Sequence, residues 1–394
     1  MPAELIDHQG VGDEPVFSIP DADDSRGPEP GIALCLSGGG FRAMLFHVGT
    51  LWRLNEAGVL PRLNRISSVS GGSITSGALG LRWKELNFDG NGVARHFVER
   101  LVEPVRALAR RTIDEGAIIG GMLLPGSIAD RVVKAYDKYL FEGKTLRDIP
   151  EKPRFVINAT NVQSGVLWRF SNPYMADYRV GRILGKTRTL PLAQAVAASS
   201  AFPPVLSPME FSFKESDYEP KSGMDLQFEP YTTDVVLSDG GVYDNLGLET
   251  AWKRYKTVLV SDGGGNLEPE PDPKRNWVHH SYRILSLIDN QVRSLRKRQL
   301  IDSYESKDAD RGRTGAYWGI RTKIAKYGLS DSLPCPLENT TDLANTPTRL
   351  KRVDDERQER LINWGYAVCD AAIRRHFDPK IAKPKGFPYP EVRV

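Results

Sequence analysis

The 394-residue sequence contains few cysteines and almost no excess of either charge. Cys35, Cys335 and Cys369 are widely spaced and odd in number. This argues against a disulfide framework or a zinc site and fits a reducing compartment such as the cytoplasm. Lysine and arginine exceed aspartate and glutamate by only 53 − 50 = 3. So small an excess does not indicate a nucleic-acid polymer as partner.

The sequence also lacks a hydrophobic run long enough to cross a membrane. Residues 116–129 are uncharged, but this run has only 14 residues and contains Pro125, whereas a spanning helix needs about 20 apolar residues. The first 30 residues carry eight acidic residues and one basic residue, unlike a signal peptide. We therefore expect a flexible acidic arm at 1–30 and a cytoplasmic protein, either soluble or peripheral at a membrane.

Hydrophobic patterning near the N-terminus predicts two consecutive strand–glycine–helix units. A short apolar run at 32–36 has the length of a buried strand, residues 65–69 are predicted to form a second strand, and each segment is followed by a turn that contains glycine. Apolar residues then recur at helical spacing in 41–60, and a second helical stretch follows at 73–83. This order predicts a parallel sheet and an α/β fold.

The rest of the chain is predicted to complete one large domain over residues 31–394. A mostly helical insertion is expected at about 94–148 and C-terminal helices at about 282–377. We predict an irregular segment at 211–234 and a proline-rich loop at 267–275. Further strands are predicted at 154–159, 167–170, 235–237 and 257–260, a small-residue helix at 193–201, and longer helices at 282–304 and 350–377.

A glycine run follows the first predicted strand. Gly38, Gly39 and Gly40 permit a tight turn and present backbone N–H groups at a helix N-terminus, where a tetrahedral oxyanion would be stabilised. The run also satisfies a dinucleotide-binding pattern, but the second predicted strand offers no acidic residue for a ribose. Arg42, in the first helical turn, is either a support for this loop or a surface residue.

Ser70 lies at the second strand–helix junction, within the sequence Ser68-Val69-Ser70-Gly71-Gly72. This sequence matches the nucleophile-elbow pattern small-x-Ser-x-Gly, in which x is any residue. The pattern forms a strained turn that presents the serine hydroxyl. A polar turn without catalysis is the alternative. The flanking strand and helix favour Ser70 as nucleophile, with Ser68 and Gly72 as elbow residues.

Two Asp-Gly-Gly sequences follow predicted strands, one at Asp239 and one at Asp262. A carboxylate at the carboxyl end of a strand lies where doubly wound sheets bind ligands, and it could accept the serine proton. Aspartate in such turns also serves as a turn former. Both residues are therefore candidates from the sequence pattern.

Together these motifs resemble those of the patatin-like phospholipases, which have a glycine-rich oxyanion loop, a serine elbow about 30 residues later and a distant Asp-Gly-Gly. Asn245 follows Asp239 at the family's spacing, which favours Asp239 over Asp262. Ala43 and Ser68 replace glycines of the family pattern, and neither change removes a reacting group.

The resemblance implies a three-layer α/β/α fold with a mostly parallel central sheet, and a Ser70–Asp239 dyad without a histidine. In other α/β lipases a histidine follows the acid. Here His279, His280 and His376 are the candidates, and we interpret all three as surface residues. His47 and His96, on predicted helices, are expected to be packing or surface residues.

The activity implied by the resemblance is hydrolysis of lipid esters through an acyl-enzyme, with a lipid or membrane surface as partner and no metal or cofactor. One alternative is a phospholipase activated by a small ligand, since some patatin-like proteins of bacterial antiviral systems are triggered by nucleotides. Another is a general carboxylesterase of small soluble esters. Acyl length, headgroup and oligomeric state are not indicated by the motifs.

Two further features have open interpretations. Residues 116–129 could form an apolar lid at a membrane or a buried helix. Six arginines and lysines of the predicted C-terminal helices could hold anionic headgroups or lie on solvated helix faces. These are Arg293, Arg296, Lys297, Arg298, Arg374 and Arg375.

Overall fold

The computed structural model describes residues 28–114, 125–204, 206–308 and 311–394. Within these residues, ten strands join in one sheet. The strands are β1 Glu29–Leu36, β2 Arg65–Val69, β3 Arg154–Asn161, β4 Val166–Phe170, β5 Met175–Asp177, β6 Gly181–Ile183, β7 Met209–Ser212, β8 Asp234–Asp239, β9 Tyr255–Asp262 and β10 Thr314–Gly319.

The centre of the sheet is parallel, in the order β10-β9-β1-β2-β3. Beyond β3 the sheet continues antiparallel through β4, β5 and β6, and the antiparallel pair β7–β8 joins the far end of β3. Because the parallel strands all point the same way, their carboxyl ends lie along a single edge, where α/β proteins place ligands.

Ten α-helices of the described residues surround the sheet. They are α1 Gly40–Glu56, α2 Gly71–Arg82, α3 Glu103–Ala109, α4 Pro125–Tyr136, α5 Leu192–Ser199, α6 Gly241–Asp244, α7 Glu249–Trp252, α8 Trp277–Glu305, α9 Leu337–Ala344 and α10 Asp355–Ala372. No helix in the described part of the chain is both long and apolar enough to cross a bilayer.

Strand β1 shows how the sheet separates two hydrophobic cores. Successive side chains of a strand point to opposite faces. Leu34 and Leu36 belong to the large core, which also contains residues of α1, α2 and α10. Ala33 and Cys35 belong to a smaller core that Leu300 of α8 closes on the other face. The predicted three-layer α/β/α fold with a parallel central sheet is therefore confirmed.

Helices α1 and α10 pack with their backbones in contact, which fixes the helix that begins at the glycine run. A Cβ atom on Gly49 of α1 would lie 1.9 Å from the Ile362 carbonyl oxygen, and one on Gly365 of α10 would lie 1.9 Å from that of Phe46. Only glycine permits such an approach. A buried ion pair of 2.8 Å between Arg53 and Asp370 also links these helices.

Most predicted elements are present, and several are longer than expected. Strand β2 has the predicted bounds, whereas α2 begins at Gly71 rather than at residue 73 and the last long helix begins at Asp355 rather than at 350. The segment 211–234 is not wholly irregular, because β7 extends into it. The unpredicted elements include strands β5, β6 and β10 and helices α6, α7 and α9.

Two sequence interpretations lie largely outside the described residues. The acidic arm falls mainly at 1–27, and the uncharged run at 116–129 lies mostly within 115–124. Strand β1 begins at Glu29, so the last residues of the predicted arm belong to the sheet. The Glu29 side chain pairs with Arg254 at 2.9 Å.

Candidate active site

Ser70 and Asp239 lie together because β2 and β8 pair with β3 from opposite directions and end at neighbouring residues of that strand. Parallel strand β2 ends at Val69, opposite Asn158, and antiparallel strand β8 ends at Asp239, opposite Ala159. The partners on β3 are consecutive residues. Ser70, which follows Val69, therefore lies beside Asp239, although 169 positions separate the two residues in the sequence.

Ser70 has the backbone of a strained elbow. Its φ of 50° and ψ of −120° are unusual for a residue with a side chain. Its backbone N–H donates to the Ser199 hydroxyl at 3.0 Å. At the next position, a Cβ atom on Gly71 would lie 2.2 Å from the Gly40 carbonyl oxygen, so the elbow and the glycine run touch through their backbones.

A network of buried hydroxyl groups holds the elbow from below. The Ser199 hydroxyl donates to the Asn158 carbonyl oxygen at 2.6 Å and lies 2.8 Å from the Ser73 hydroxyl. Ser73 in turn donates to Ser68 at 3.1 Å. Ser68, which replaces a glycine of the family pattern, is fully buried and donates to Val156. Its side chain is therefore accommodated without obstructing Ser70.

Asp239 is an almost fully buried carboxylate beside the serine. Its Oδ1 accepts a 2.6 Å hydrogen bond from the Gly241 N–H, and this bond and the neighbouring Ser70 hydroxyl both favour the charged carboxylate. Burial raises the pKa of Asp239 from 3.8 to about 7, more than these two groups lower it. The carboxyl can therefore gain and lose a proton near neutral pH, as a general base must.

The three glycines of the loop differ in what their N–H groups do. Gly38 donates to both the carbonyl and the side-chain oxygen of Asn245, at 3.0 and 3.1 Å. Gly39 and Gly40 have positive φ values of 142° and 60° and line the cavity in front of Ser70. Among the described residues, neither of their N–H groups has a hydrogen-bond partner. They are thus available to a ligand.

His47 on α1 is an unpredicted support of this loop. It is fully buried, and burial lowers its pKa to about 4, so the ring is neutral. Its Nε2 lies 2.9 Å from the Ser37 carbonyl oxygen, which can only accept, so Nε2 carries the proton. Its Nδ1 lies 2.9 Å from the Ser261 hydroxyl. The imidazole therefore ties β9 to the residue before the glycines.

Ser37 also connects the loop to the elbow. Its carbonyl oxygen accepts a second hydrogen bond from the N–H of Gly72, at 3.1 Å. A Cβ atom on Gly72 would lie 2.4 Å from the Leu36 carbonyl oxygen, so this elbow position also requires glycine. The Ser37 carbonyl is thus the point where the His47 side chain, the glycine loop and the Ser70 elbow meet.

Arg42 is buried, which rules out the surface alternative for this residue. Its guanidinium donates to the carbonyl oxygens of Gly263 at 3.1 Å and Thr346 at 2.5 Å. Burial lowers its pKa to about 10, so the group stays charged at neutral pH. It braces the loop from behind, and one guanidinium nitrogen, Nη2, has no partner in the described residues.

The cavity in front of Ser70, here called the Ser70 cavity, has a volume of about 260 Å³. Apolar side chains of Phe202, Leu206 and Leu350 form part of its wall. Asp289 of α8, which the sequence patterns did not single out, also lines it, and burial raises its pKa to about 6. The amide of Asn245 donates to Asp289 at 3.4 Å and so links it to the glycine loop.

Asp262, the competing aspartate, does not line the Ser70 cavity. It accepts hydrogen bonds from the Tyr317 hydroxyl at 2.7 Å and the Gly264 N–H at 2.9 Å. Its pKa is lowered: burial would raise it, but Arg293 and these hydrogen bonds outweigh burial. Asp262 is thus a fixed negative charge at the end of β9, two strands from the end of β2 that precedes Ser70.

No histidine lines the Ser70 cavity in the described part of the chain. His279, His280 and His376 are exposed, as expected for surface residues. His47 donates to a carbonyl from behind the loop and does not face the cavity. In the described ranges, no group of histidine, cysteine and carboxylate side chains could hold a metal ion.

Comparison with known proteins gives one family match. The family described as patatin-like phospholipase matches residues 34–252, a range that contains all three motifs. No curated protein sequence matches this chain.

Three solved structures illustrate how distant the structural relatives are. Human GIVD cytosolic phospholipase A2 aligns over 86% of this chain and 58% of its own, with 15% identity and a TM-score of 0.47. Its complex with methyl gamma-linolenyl fluorophosphonate aligns over 87% of this chain and 57% of its own, with 16% identity and a TM-score of 0.49. VipD from Legionella pneumophila aligns over 86% of this chain and 66% of its own, with 16% identity and a TM-score of 0.32. The chain thus spans less than two thirds of each of these proteins.

Proposed function

The chain belongs to the patatin-like phospholipase family, and on that premise we propose that it hydrolyses ester bonds of phospholipids or related lipids. Ser70 is the proposed nucleophile and Asp239 its base. The observation that supports this most directly is the meeting of β2 and β8 on β3, where the strand ends before Ser70 and at Asp239 lie opposite consecutive residues.

In the proposed mechanism, Asp239 accepts the proton of the Ser70 hydroxyl while the Ser70 oxygen attacks the ester carbonyl. The N–H groups of Gly39 and Gly40 stabilise the tetrahedral oxyanion, and protonated Asp239 returns the proton to the departing alcohol. Water then attacks the acyl-enzyme, again with Asp239 as base. A base pKa near 7 suits both directions of proton transfer.

Gly38 has a different role in this proposal. Its N–H is engaged by Asn245, and the residue does not line the Ser70 cavity. It therefore anchors the loop while Gly39 and Gly40 provide the donors. Arg42 likewise supports the loop through the Gly263 and Thr346 carbonyls instead of contacting the substrate.

The outer face of α8 supports a lipid surface as the place where substrate is met. Seven of the fourteen exposed large hydrophobic side chains in the described residues lie on this helix. Four of them, at 277, 284, 288 and 295, fall within about 40° of one another at 100° per residue. Ser286 and Arg293, which line the Ser70 cavity, lie on the opposite face.

An exposed apolar face along one helix indicates contact with an apolar partner. Because the opposite face of α8 forms a wall of the Ser70 cavity, a bilayer against the outer face would lie about one helix diameter, roughly 10 Å, from that cavity. A carboxylesterase of small soluble esters would have no need of this face, which favours a lipid substrate.

The test is fatty-acid release from phospholipid vesicles by the wild type, Ser70→Ala and Asp239→Asn. We expect each substitution to reduce kcat at least about 10³-fold. Ser216→Ala, an exposed serine, and Asp234→Asn, at the exposed start of β8, are matched controls that should retain activity. Retained activity in Ser70→Ala, or turnover of short soluble esters alone, would contradict the proposal.

A further inference from the structure

A second cavity of about 550 Å³ adjoins the Ser70 cavity. It lies at the carboxyl ends of β9 and β10, where Asp262 and Gly319 end these strands. The two cavities share Arg293, Asn290 and the turn at residues 265–266. A ligand in the second cavity would therefore be a direct neighbour of a substrate at Ser70. We call this second cavity the basic cavity.

Positive charge dominates the lining of the basic cavity. Five arginines and lysines line it against a single carboxylate, Asp262, an excess of 5 − 1 = 4 positive charges. This imbalance is local, because the whole sequence has an excess of only 3. The five cations are Arg293, Lys297, Arg321, Lys323 and Lys326.

Three of these cations lack a carboxylate partner. Among the described residues, Lys297, Lys323 and Lys326 form no ion pair, whereas Arg321 pairs with Glu268 at 3.3 Å. Burial, Arg293 and Lys326 together lower the pKa of Lys297 despite the attraction of Asp262. Like charges gathered in a concave site repel one another, and an anion bound among them removes that cost.

The aromatic and polar groups of the cavity hold the cations in place. The Lys297 ammonium lies 4.3 Å from the centre of the Tyr317 ring. The Arg293 guanidinium donates to the Gly265 carbonyl, in the loop that both cavities share. The single acidic group is already engaged by Tyr317 and Gly264. The lysine ammonium groups are thus left to recognise a ligand.

The structure also separates the basic residues noted in the sequence. Arg296 pairs with Glu249, and Arg374 pairs with Asp331 and Asp370, both at 3.0 Å. Neither lines the basic cavity. Of the six residues, only Arg293 and Lys297 do so.

We propose that the basic cavity binds a phosphate group of a ligand whose binding is coupled to the Ser70 cavity. Several convergent ammonium and guanidinium groups are the protein's usual way to recognise a phosphate anion. The proposal rests on the proposed ester hydrolysis at Ser70 and specifies its ligand. The phosphate belongs either to the headgroup of the substrate lipid or to a separate soluble phosphate compound.

The binding test uses inorganic phosphate and calorimetry on the full chain at constant ionic strength. We expect saturable binding by the wild type and by Lys84→Gln/Lys307→Gln, which changes two exposed lysines outside the cavity. Lys297→Gln/Lys326→Gln should weaken binding at least about tenfold. Equal binding by both double variants, or none by the wild type, would overturn the proposal, whether or not Ser70 is catalytic.

The activity test compares vesicles of phosphatidylglycerol with a phosphate-free p-nitrophenyl ester. If the site holds the headgroup, we expect Lys297→Gln/Lys326→Gln to lower the ratio of phospholipid to p-nitrophenyl ester turnover about tenfold, and the control pair to leave it unchanged. An unchanged ratio in an active enzyme would exclude the headgroup as the source of the phosphate, and the binding test then decides whether the cavity holds a soluble phosphate compound. If neither ester is hydrolysed by the wild type, the proposed function fails instead, and the binding test still decides the site.

Added inorganic phosphate distinguishes the two sources of the group. If the site holds the headgroup, phosphate competes with phosphatidylglycerol and leaves turnover of the p-nitrophenyl ester unchanged. If it holds a soluble activator, phosphate raises turnover of the p-nitrophenyl ester. Either result supports the site, and an absence of effect on both substrates at saturating phosphate would contradict it.

Discussion

The Nε2 atom of His47 lies 2.9 Å from the carbonyl oxygen of Ser37, the residue before the three glycines. The opposite ring nitrogen meets Ser261, whose hydroxyl lies 3.0 Å from that of Thr50, and Thr50 accepts from the Trp318 indole. This chain of hydrogen bonds runs from β10 to the glycine loop. Because Nδ1 of His47 can only accept, the Ser261 hydroxyl donates to it and accepts from Thr50, so the direction of every bond in the chain is defined.

We predict that His47→Ala lowers kcat about 10- to 100-fold with little change in KM, because the loop loses a support but no substrate contact. The pH–rate profile should keep its shape, since the His47 pKa of about 4 places its titration below the working range. His96→Ala, an exposed histidine, is the control. Loss of the acidic limb of the profile in His47→Ala would identify His47 as the base and contradict the dyad.

A second prediction concerns the pH dependence of the wild-type enzyme. If Asp239 is the base, kcat/KM should rise about tenfold per pH unit below its pKa and level off above about pH 7. Rates on a soluble ester between pH 5 and 9 measure this. A flat profile over this range, which a carboxyl with its ordinary pKa near 4 would give, would contradict the raised pKa of Asp239.

The raised pKa of Asp239 also predicts a stability effect. Between about pH 4 and pH 7 the folded chain holds a proton that the unfolded chain has released, so the free energy of unfolding decreases as pH rises through this window. Asp239→Asn removes the effect. Its melting temperature should exceed that of the wild type by about 2 °C or more at pH 8 and much less at pH 5.

Thermal unfolding of Asp239→Asn, Asp234→Asn and the wild type at both pH values provides the measurement. Asp234 is exposed, so its variant should follow the wild type at each pH. A difference for Asp239→Asn that is the same at pH 5 and pH 8 would show that the carboxyl has no raised pKa.

The exposed face of α8 predicts a separation of vesicle binding from chemistry. The triple variant Trp277→Ser, Ile288→Ser and Leu295→Ser should bind phospholipid vesicles at least about tenfold more weakly, because each side chain contributes apolar area to the contact. Turnover of a soluble ester should be retained. Vesicle sedimentation and esterase assays measure the two effects.

The matched control replaces three exposed hydrophobic residues elsewhere, Val162, Leu184 and Met224, by serine. Unchanged vesicle binding in the α8 variant would contradict a membrane role. Size-exclusion chromatography adds a second check. A wild-type dimer that the α8 variant converts to monomers would assign this face to self-association instead.

The local parts of the site could be predicted from the sequence because short-range chemistry determines them. Strand β2 lies between the turn at Pro61 and the pair Gly71-Gly72, and these flanking residues indicate its bounds. Strand β10, Thr314–Gly319, carries a glycine at its second and last positions and no clear alternation, so its place in the sheet depends on pairing with β9.

The long-range parts could not be predicted in this way. On β3, Val69 lies opposite Asn158 and Asp239 lies opposite the next residue, Ala159. The sequence around Asp239 does not indicate this register, because pairing with β3 sets it. The capture of the Gly38 N–H by Asn245 also depends on packing. A weak signal for Asp289 does exist, because Ser286, Asp289 and Arg293 recur at helical spacing on one face of α8.

The most direct test of the account is labelling with an alkyl fluorophosphonate at pH 8, with the modified peptide located by mass spectrometry. We predict a single label on Ser70, no label in Ser70→Ala, and labelling slowed about 100-fold in Asp239→Asn. A label on another serine, or a rate that Asp239→Asn leaves unchanged, would contradict the proposed Ser70–Asp239 dyad.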